Sequence, residues 1–310
     1  MKVVIAGGTG WLGQRLADNF HTRGDDVVIL TRRRRNEIRH RQVEWDGRTV
    51  GQWSAELAGA IVVNLAGELV DRPPSPKNVE LLRQSRVEPT RALVQAAARL
   101  HHQPVLWLQM STLAIYGDAG QRIVDEQSPV ADGPPQMPGV ARPWEAAVEG
   151  AATDRLVILR TGIVLDHGTP AFERLVRITK LGLGGRIGDG EQWISWVHAD
   201  DFVEAVLFLR ERELDGVVHV TAPNPIQNRD MMGALRGALR RRWSPPTPKP
   251  LVQLGAMLMR TDPALALTGR RCVPQRLLEA GFSFQHPMFA AALDDILESR
   301  PVEISPGAAS

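Results

Sequence analysis

Val3-Val4-Ile5-Ala6-Gly7-Gly8-Thr9-Gly10-Trp11-Leu12-Gly13 opens the chain and decides its fold. Val3 to Ala6 form a short apolar run ending in glycines, the pattern of a strand buried on both faces of a parallel sheet. Leu12, Leu16, Ala17 and Phe20 then recur at helical spacing, and Gly24 stands where that helix would stop. Val27-Val28-Ile29-Leu30 reads as a second strand. Strand, glycine turn, helix and strand in this order give the glycines at 7, 10 and 13 the context of a dinucleotide-binding turn. Gly7 permits the tight turn, Gly10 lets backbone N–H groups approach a pyrophosphate at the helix N-terminus, and Gly13 lets helix and strand pack closely. Thr9, Trp11 and Leu12 complete this candidate cofactor site.

Further apolar runs at 61–65, 105–108, 156–159 and 217–220 alternate with helical patterns at 79–101, 144–152 and 200–210. Such alternation predicts an α/β fold with a parallel sheet covered on both faces. Pro89 predicts a kink, or two pieces, in the 79–101 helix. After about residue 165 the alternation loosens. Proline-rich connectors at 222–226 and 244–250 then separate helical stretches near 229–242, 251–260, 274–280 and 288–298. The expected organisation is a dinucleotide-binding domain over 1–164. Residues 165–300 complete the sheet at about 199–222 and form a smaller, mostly helical C-terminal lobe. Residues 301–310 are expected to be a disordered tail.

Composition narrows the function. The 310 residues are 43% hydrophobic and 23% charged, a globular balance with no apolar run long enough to span a bilayer. The start lacks the apolar core and cleavage site of a signal peptide, and the single cysteine, Cys272, cannot form an internal disulfide. A cytoplasmic protein without a membrane partner is expected. Net charge is +2, and Arg32 to Arg35 alone supply four of the positive charges, so a broad nucleic-acid surface is not expected. No Asp or Glu lies between Val27 and Asn36, where a carboxylate would bond the ribose 2′-hydroxyl of NAD. Arg32 instead offers a planar fork to a 2′-phosphate, which favours NADP(H), while Arg34 and Arg35 read as surface charge. Asn64-Leu65-Ala66-Gly67 ends a strand with small residues against which a cofactor ribose-phosphate can lie, or Ala66-Gly67 is a plain strand-to-helix turn. Trp45-Asp46 reads either as an adenine contact or as a plain strand end.

The motifs GGTGWLG, VVNLAGE, STLAIYG, LRTGIVL, GLGGRIGDGEQWISWVHADD and VPQRLLEAGFSF occur in this order between residues 7 and 284. Together they resemble the epimerase family of the atypical extended short-chain dehydrogenase/reductases, which carries its own C-terminal domain of unknown function. The resemblance covers nearly the whole chain. It implies a Rossmann-type doubly wound domain binding NADP(H), with the C-terminal lobe over the nicotinamide end. Members are generally labelled nucleoside-diphosphate-sugar epimerases, and some carry a cell-division-inhibitor label.

The superfamily's usual catalyst is a Ser/Thr with a Tyr-x-x-x-Lys pair, in which lysine lowers the tyrosine pKa and holds the nicotinamide ribose. The only tyrosine here is Tyr116, with Gly120 four residues on, and none of the four lysines (2, 77, 180 and 249) follows a tyrosine at that spacing. Matching Ser111-Thr112-Leu113-Ala114-Ile115-Tyr116-Gly117 to the superfamily puts Thr112 at the catalytic hydroxyl position and Ser111 beside the cofactor. Counting on puts Met137 at the tyrosine position, Ala141 at the lysine position and Glu145 at the following carboxylate. Thr112 and Tyr116 are the catalytic candidates, with Tyr116 expected on the substrate side as a polar wall rather than as the usual acid.

Other groups carry two readings each. His198 is a titratable candidate, or a loop residue before a helix capped by Asp200 or Asp201. Glu68 and Lys77 face the expected cleft or form loop ion pairs. Arg86 stands beside the cofactor or in a surface salt bridge. Asp189-Gly190 reads as a hairpin turn. Gln192, Trp193 and Trp196 line a substrate pocket or anchor the core. Cys272 reads as an inert thiol, and no metal site is expected. The chain is therefore expected to be an NADP(H)-dependent epimerase or oxidoreductase, monomeric or homodimeric, acting on a small hydroxylated or sugar-like substrate. The alternative is an NADP(H)-sensing or regulatory binding protein.

Overall fold

The computed structural model describes residues 1–299; the tail expected at 301–310 lies outside them. Seven parallel strands build the central sheet: β1 (Lys2–Ala6), β2 (Asp26–Thr31), β3 (Arg41–Glu44), β4 (Ile61–Asn64), β5 (Leu106–Thr112), β6 (Leu156–Thr161) and β7 (Gly216–Val220). Their spatial order is β7-β6-β5-β4-β1-β2-β3. The winding reverses between β1 and β4, and in such sheets ligands bind beyond the strand ends at that reversal.

Alternation within each strand explains why both faces are covered. In β1, Val3 and Ile5 join the core that contains Leu16 and Phe20 of α1 (Trp11–Thr22). Phe202 and Val206 of α5 (Ala199–Glu211) belong to the same core. Val4 and Ala6 face the opposite core, which holds Ala92, Leu93 and Ala96 of α2 (Pro76–Ala97). Burying one such aliphatic side chain contributes about 1.5–3 kcal/mol. No helix among the described residues is long and apolar enough to cross a membrane.

Two helices differ from the sequence expectation. Ser75 Oγ accepts the Asn78 N–H and Pro76 supplies a preformed first turn, so α2 starts before residue 79. It continues through Pro89 as one helix rather than two. The helix expected at 144–152 is α3 (Pro138–Ala146), begun by Pro138 and tolerating Pro143 inside it. The prolines obscured its helical pattern.

The remaining helices are α4 (Pro170–Lys180), α6 (Asn228–Ala238), α7 (Lys249–Leu258), α8 (Ala264–Leu267), α9 (Gln275–Glu279) and α10 (Phe289–Glu298). Phe172, Val176, Trp196, Leu235, Phe289 and Leu293 form a separate apolar core under α4, α6 and α10. The Asp189-Gly190 turn is closed by the Gly190 N–H on Ile187 O at 2.9 Å, but no hairpin flanks it. Trp193-Ile194 pairs instead with Ile226-Gln227, more than thirty residues on.

Candidate cofactor and substrate site

The C-terminal ends of β1, β4 and β5 bring Gly7, Leu65 to Gly67, and Ser111-Thr112 to one edge of the sheet. Gly7 has φ +77°, and a Cβ there would lie 2.9 Å from the Leu65 carbonyl carbon and oxygen. Nothing larger than hydrogen fits that approach. Gly13 is equally constrained, since its Cβ would meet the Gly8 Cα at 2.5 Å. Gly10 differs: its Cβ would touch only Gly7 O, at 3.6 Å, and otherwise point into open space. Gly10 is the N-cap of α1, with no side-chain cap and no acidic residue in the first turn. An anion placed there meets uncompensated N–H groups and the positive end of the helix dipole, a gain of about 0.3–1 kcal/mol at an exposed site.

The turn around this cradle is held from within. Gln14 Nε2 donates to Thr9 O at 3.1 Å. Leu12 packs on the sheet core, and Trp11 stacks under the Arg15 guanidinium. Asn64 is fully buried. Its Oδ1 accepts the Ala66 N–H at 3.2 Å while its Nδ2 donates to Thr90 Oγ1 and Gln109 Oε1, both at 2.9 Å. This amide shapes the Leu65-Ala66 turn that Gly7 touches.

Arg32 leaves the end of β2 with its side chain 74% exposed and its Nη2 3.2 Å from Glu68 Oε1. Glu68 also pairs with Arg72 at 3.1 Å, while Lys77 is exposed. Arg86 is no surface salt bridge. It is buried, donates to Leu82 O at 3.1 Å and Glu68 O at 2.9 Å, and lies over the Trp144 ring. Burial lowers its pKa to about 10. Asp46 has both carboxylate oxygens bonded by Arg48 and Thr49, which pulls its pKa down to about 2.

Thr112 is half-buried, and its Oγ1 accepts the Ala114 N–H at 3.1 Å. Ser111 Oγ donates to Glu145 Oε1 at 2.5 Å. Glu145 in turn takes two bonds from Arg160, Nε at 2.9 Å and Nη2 at 2.7 Å. Arg160 Nη1 donates to the Tyr116 hydroxyl at 2.7 Å, which sits 2.7 Å from His219 Nε2. His219 Nδ1 lies 2.9 Å from Val273 O and must donate to it, so its Nε2 accepts the Tyr116 proton. Tyr116 is therefore no cleft wall: it is only 3% exposed and sits inside a polar chain running from β5 to the C-terminal lobe. Burial raises its pKa above the ordinary tyrosine value and lowers that of His219 to about 4. Burial works against the Arg160 charge, but the Glu145 hydrogen bonds outweigh it and hold its pKa above the usual value. Sequence reasoning missed Arg160 and His219. The signal was available, because each interrupts an apolar strand, VILRT and VVHV.

Met137 stands at the N-cap of α3, and Ala141 is buried on that helix among Leu113, Ile115 and Tyr116. His198 itself caps α5: its Nδ1 accepts the Asp200 N–H at 3.1 Å, the role expected of Asp200 or Asp201. Asp201 instead accepts the backbone N–H groups of Gln285 and His286. With Nδ1 accepting, the His198 proton sits on Nε2, 3.3 Å from Asp295 Oδ2. Nε2 is buried without a hydrogen-bond partner among the described residues, and His198, Asp200, His286 and Asp295 gather closely. Trp196 is a core anchor, fully buried with Nε1 bonded to Asn224 O at 3.1 Å. Trp193 is half-buried between Gln121 and Arg271, and Gln192 donates to Ala266 O at 3.2 Å. Burial raises the Cys272 thiol pKa to about 12.

Two family models match the chain: the NAD dependent epimerase/dehydratase family over residues 3–138 and a domain of unknown function, DUF1731, over 247–296. The human epimerase family protein SDR39U1 is 31% identical over 304 residues, covering 96% of this chain and all of the human protein. A crystal structure of human SDR39U1 (isoform 2) with NADPH superposes with a TM-score of 0.85 at 29% identity, covering 97% of this chain and all of that one. A nucleoside-diphosphate sugar epimerase from Corynebacterium glutamicum superposes with a TM-score of 0.75 at 28% identity, over 96% of this chain and 58% of that one. With its uncapped glycine cradle, seven-stranded sheet and DUF1731 segment, this chain belongs to the SDR39U1 epimerase family.

Proposed function

We propose that the protein binds NADP(H) at the α1 cradle and carries out epimerase or oxidoreductase chemistry on a small hydroxylated or sugar-like substrate beside Thr112. One observation carries the reading: an uncapped helix N-terminus opens beside the Leu65 to Gly67 backbone, on the same sheet edge as Thr112. The residues fit the cofactor, since Gly7 and Gly13 close the turn while Gly10 leaves it open to a diphosphate. A bound nicotinamide would supply the hydride exchange. Backbone N–H groups of the first α1 turn would hold the diphosphate, and Leu65 to Gly67 would lie along the ribose-phosphate side. Ser111 bonds Glu145 and keeps the end of β5 in place. Thr112 orients the substrate oxygen. Tyr116 does not serve as the acid, because His219 holds its hydroxyl proton and burial raises its pKa. A water or another group moves the proton.

NADP(H) is favoured over NAD(H) by Arg32, whose exposed pair with Glu68 contributes little and is readily exchanged for a phosphate. Arg32→Glu is expected to weaken NADPH about ten-fold or more and NADH less than about two-fold, read by calorimetry. Equal losses for both would remove phosphate recognition from Arg32.

Thr112→Ala is expected to lower turnover by about 10²-fold while coenzyme affinity stays unchanged. Tyr116→Phe is expected to act on stability instead, because it strips a buried partner from Arg160. A folded Tyr116→Phe protein with no turnover and an unaltered melting temperature would reverse these roles.

A second reading, an NADP(H) sensor without turnover, is favoured by the missing Tyr-x-x-x-Lys pair: Gly120 stands four residues after Tyr116. Tight NADPH binding with no hydride exchange toward carbonyl or sugar-nucleotide substrates would select it.

A further inference from the structure

The chain's net charge of +2 conceals a strong local imbalance. Residues 174–188 contain four Lys or Arg and residues 231–261 contain six, with no Asp or Glu in either stretch. The two stretches run together in space. Helix α4 packs on α6, and Arg236 Nη1 and Ser244 Oγ donate to Gly184 O and Gly182 O, each at 2.6 Å. Thr247 exchanges backbone bonds with Arg186 and Gly188, at 2.8 and 2.9 Å. Ten of the chain's 37 basic residues therefore lie along one side of the C-terminal lobe, where among the described residues Asp71 pairs with Arg174 and Asp189 lies 4.0 Å from Lys249. Among the described residues, Lys180, Arg240, Arg241 and Arg242 have no carboxylate within ion-pair distance.

The same side exposes large apolar groups. Leu181, Leu183 and Trp243 flank the paired ribbon, with Trp243 74% exposed. Helix α7 starts at its end, and of its ten residues only Ala256 is buried. Leu251, Leu254 and Leu258 lie at i, i+3 and i+7, on one exposed helical face.

We propose that this face docks on an anionic lipid bilayer, with α7, Leu181, Leu183 and Trp243 entering the headgroup layer and the surrounding cations meeting acidic lipids. The pattern of leucine face, flanking Lys/Arg and an exposed tryptophan is that of a surface-lying helix, not a spanning one. It departs from the sequence expectation of no membrane partner, which rested on span length alone. A second copy fits poorly, because a two-fold contact would press one cationic face against another. Nucleic acid would satisfy the cations but leave three leucines against phosphate and water.

The test is co-sedimentation of the full chain with phosphatidylcholine vesicles, with and without phosphatidylserine. Binding is expected only with phosphatidylserine, weakening as salt rises, with a blue shift in emission that Trp243→Phe removes. Arg241→Glu/Arg242→Glu is expected to reduce partition about ten-fold or more. Leu254→Glu/Leu258→Glu, at exposed positions that leave folding and NADPH binding intact, is expected to abolish it. Absence of binding to phosphatidylserine vesicles at low salt overturns the proposal. So does binding untouched by the leucine changes and matched by duplex DNA, which would make the face a plain polycation. A dimer in sedimentation that Leu254→Glu dissolves would assign it to self-association instead.

Discussion

Arg160→Met is expected to lower the unfolding free energy by about 3–5 kcal/mol, the cost of leaving one member of a buried ion pair uncompensated. Glu145 is the stranded partner. It is buried, takes two bonds from Arg160, and keeps only Ser111 when the guanidinium is gone. Tyr116 loses a donor at the same time. Urea unfolding followed by far-ultraviolet circular dichroism measures the loss. The double variant Arg160→Met/Glu145→Met is expected to recover most of it, since two apolar side chains of similar volume need no partner. A single-variant loss under about 1 kcal/mol would mean that water reaches the pair, as at exposed salt bridges. The outcome matters for function because this chain of contacts ties Ser111, next to Thr112, to β7 and the C-terminal lobe.

Gly10→Val is expected to abolish coenzyme binding, a loss of more than about 100-fold or roughly 3 kcal/mol, while the protein still folds. The two halves of that expectation have separate causes. Gly10 has φ −77° and ψ 166°, a region valine adopts freely, and an added Cβ meets only Gly7 O at 3.6 Å. Folding is therefore spared. The branched side chain fills the space in front of the first α1 turn, where a diphosphate would sit. Gly13→Ala is the contrasting variant. Its Cβ would fall 2.5 Å from the Gly8 Cα, so helix and strand must separate. If Gly10→Val binds NADPH normally by calorimetry, the diphosphate is not held at this turn.

The central sheet was legible because its determinants are local. Val3 to Ala6, Val27 to Leu30 and the runs at 61–65 and 217–220 each carry enough consecutive apolar residues to be buried on both faces, wherever their neighbours lie. The glycine spacing at 7, 10 and 13 was legible for the same reason: turn geometry within seven residues is decided by backbone sterics. Helix boundaries were read less well at α2 and α3. Prolines at 76 and 138 start those helices, whereas Pro89 and Pro143 interrupt the pattern without ending them.

Other features depended on residues far apart in the chain. Tyr116 is 103 positions from His219 and 44 from Arg160, and no periodicity records that their side chains meet. The expectation of a polar wall on the substrate side did not anticipate this burial, because one strand end, seen alone, does not reveal what covers it. His198 took the capping role expected of Asp200 or Asp201 because the backbone turned its ring toward the Asp200 N–H. Charge shows the same division: the total near neutrality was readable from composition, but the cationic side became visible only once 174–188 lay beside 231–261. By itself the sequence determined the α/β class, the glycine turn and the lack of a Tyr-x-x-x-Lys pair, since each is set by residues adjacent along the chain. Only the tertiary structure decided which buried polar groups satisfy one another and which charges share a surface, because those depend on packing distances that chain separation does not encode.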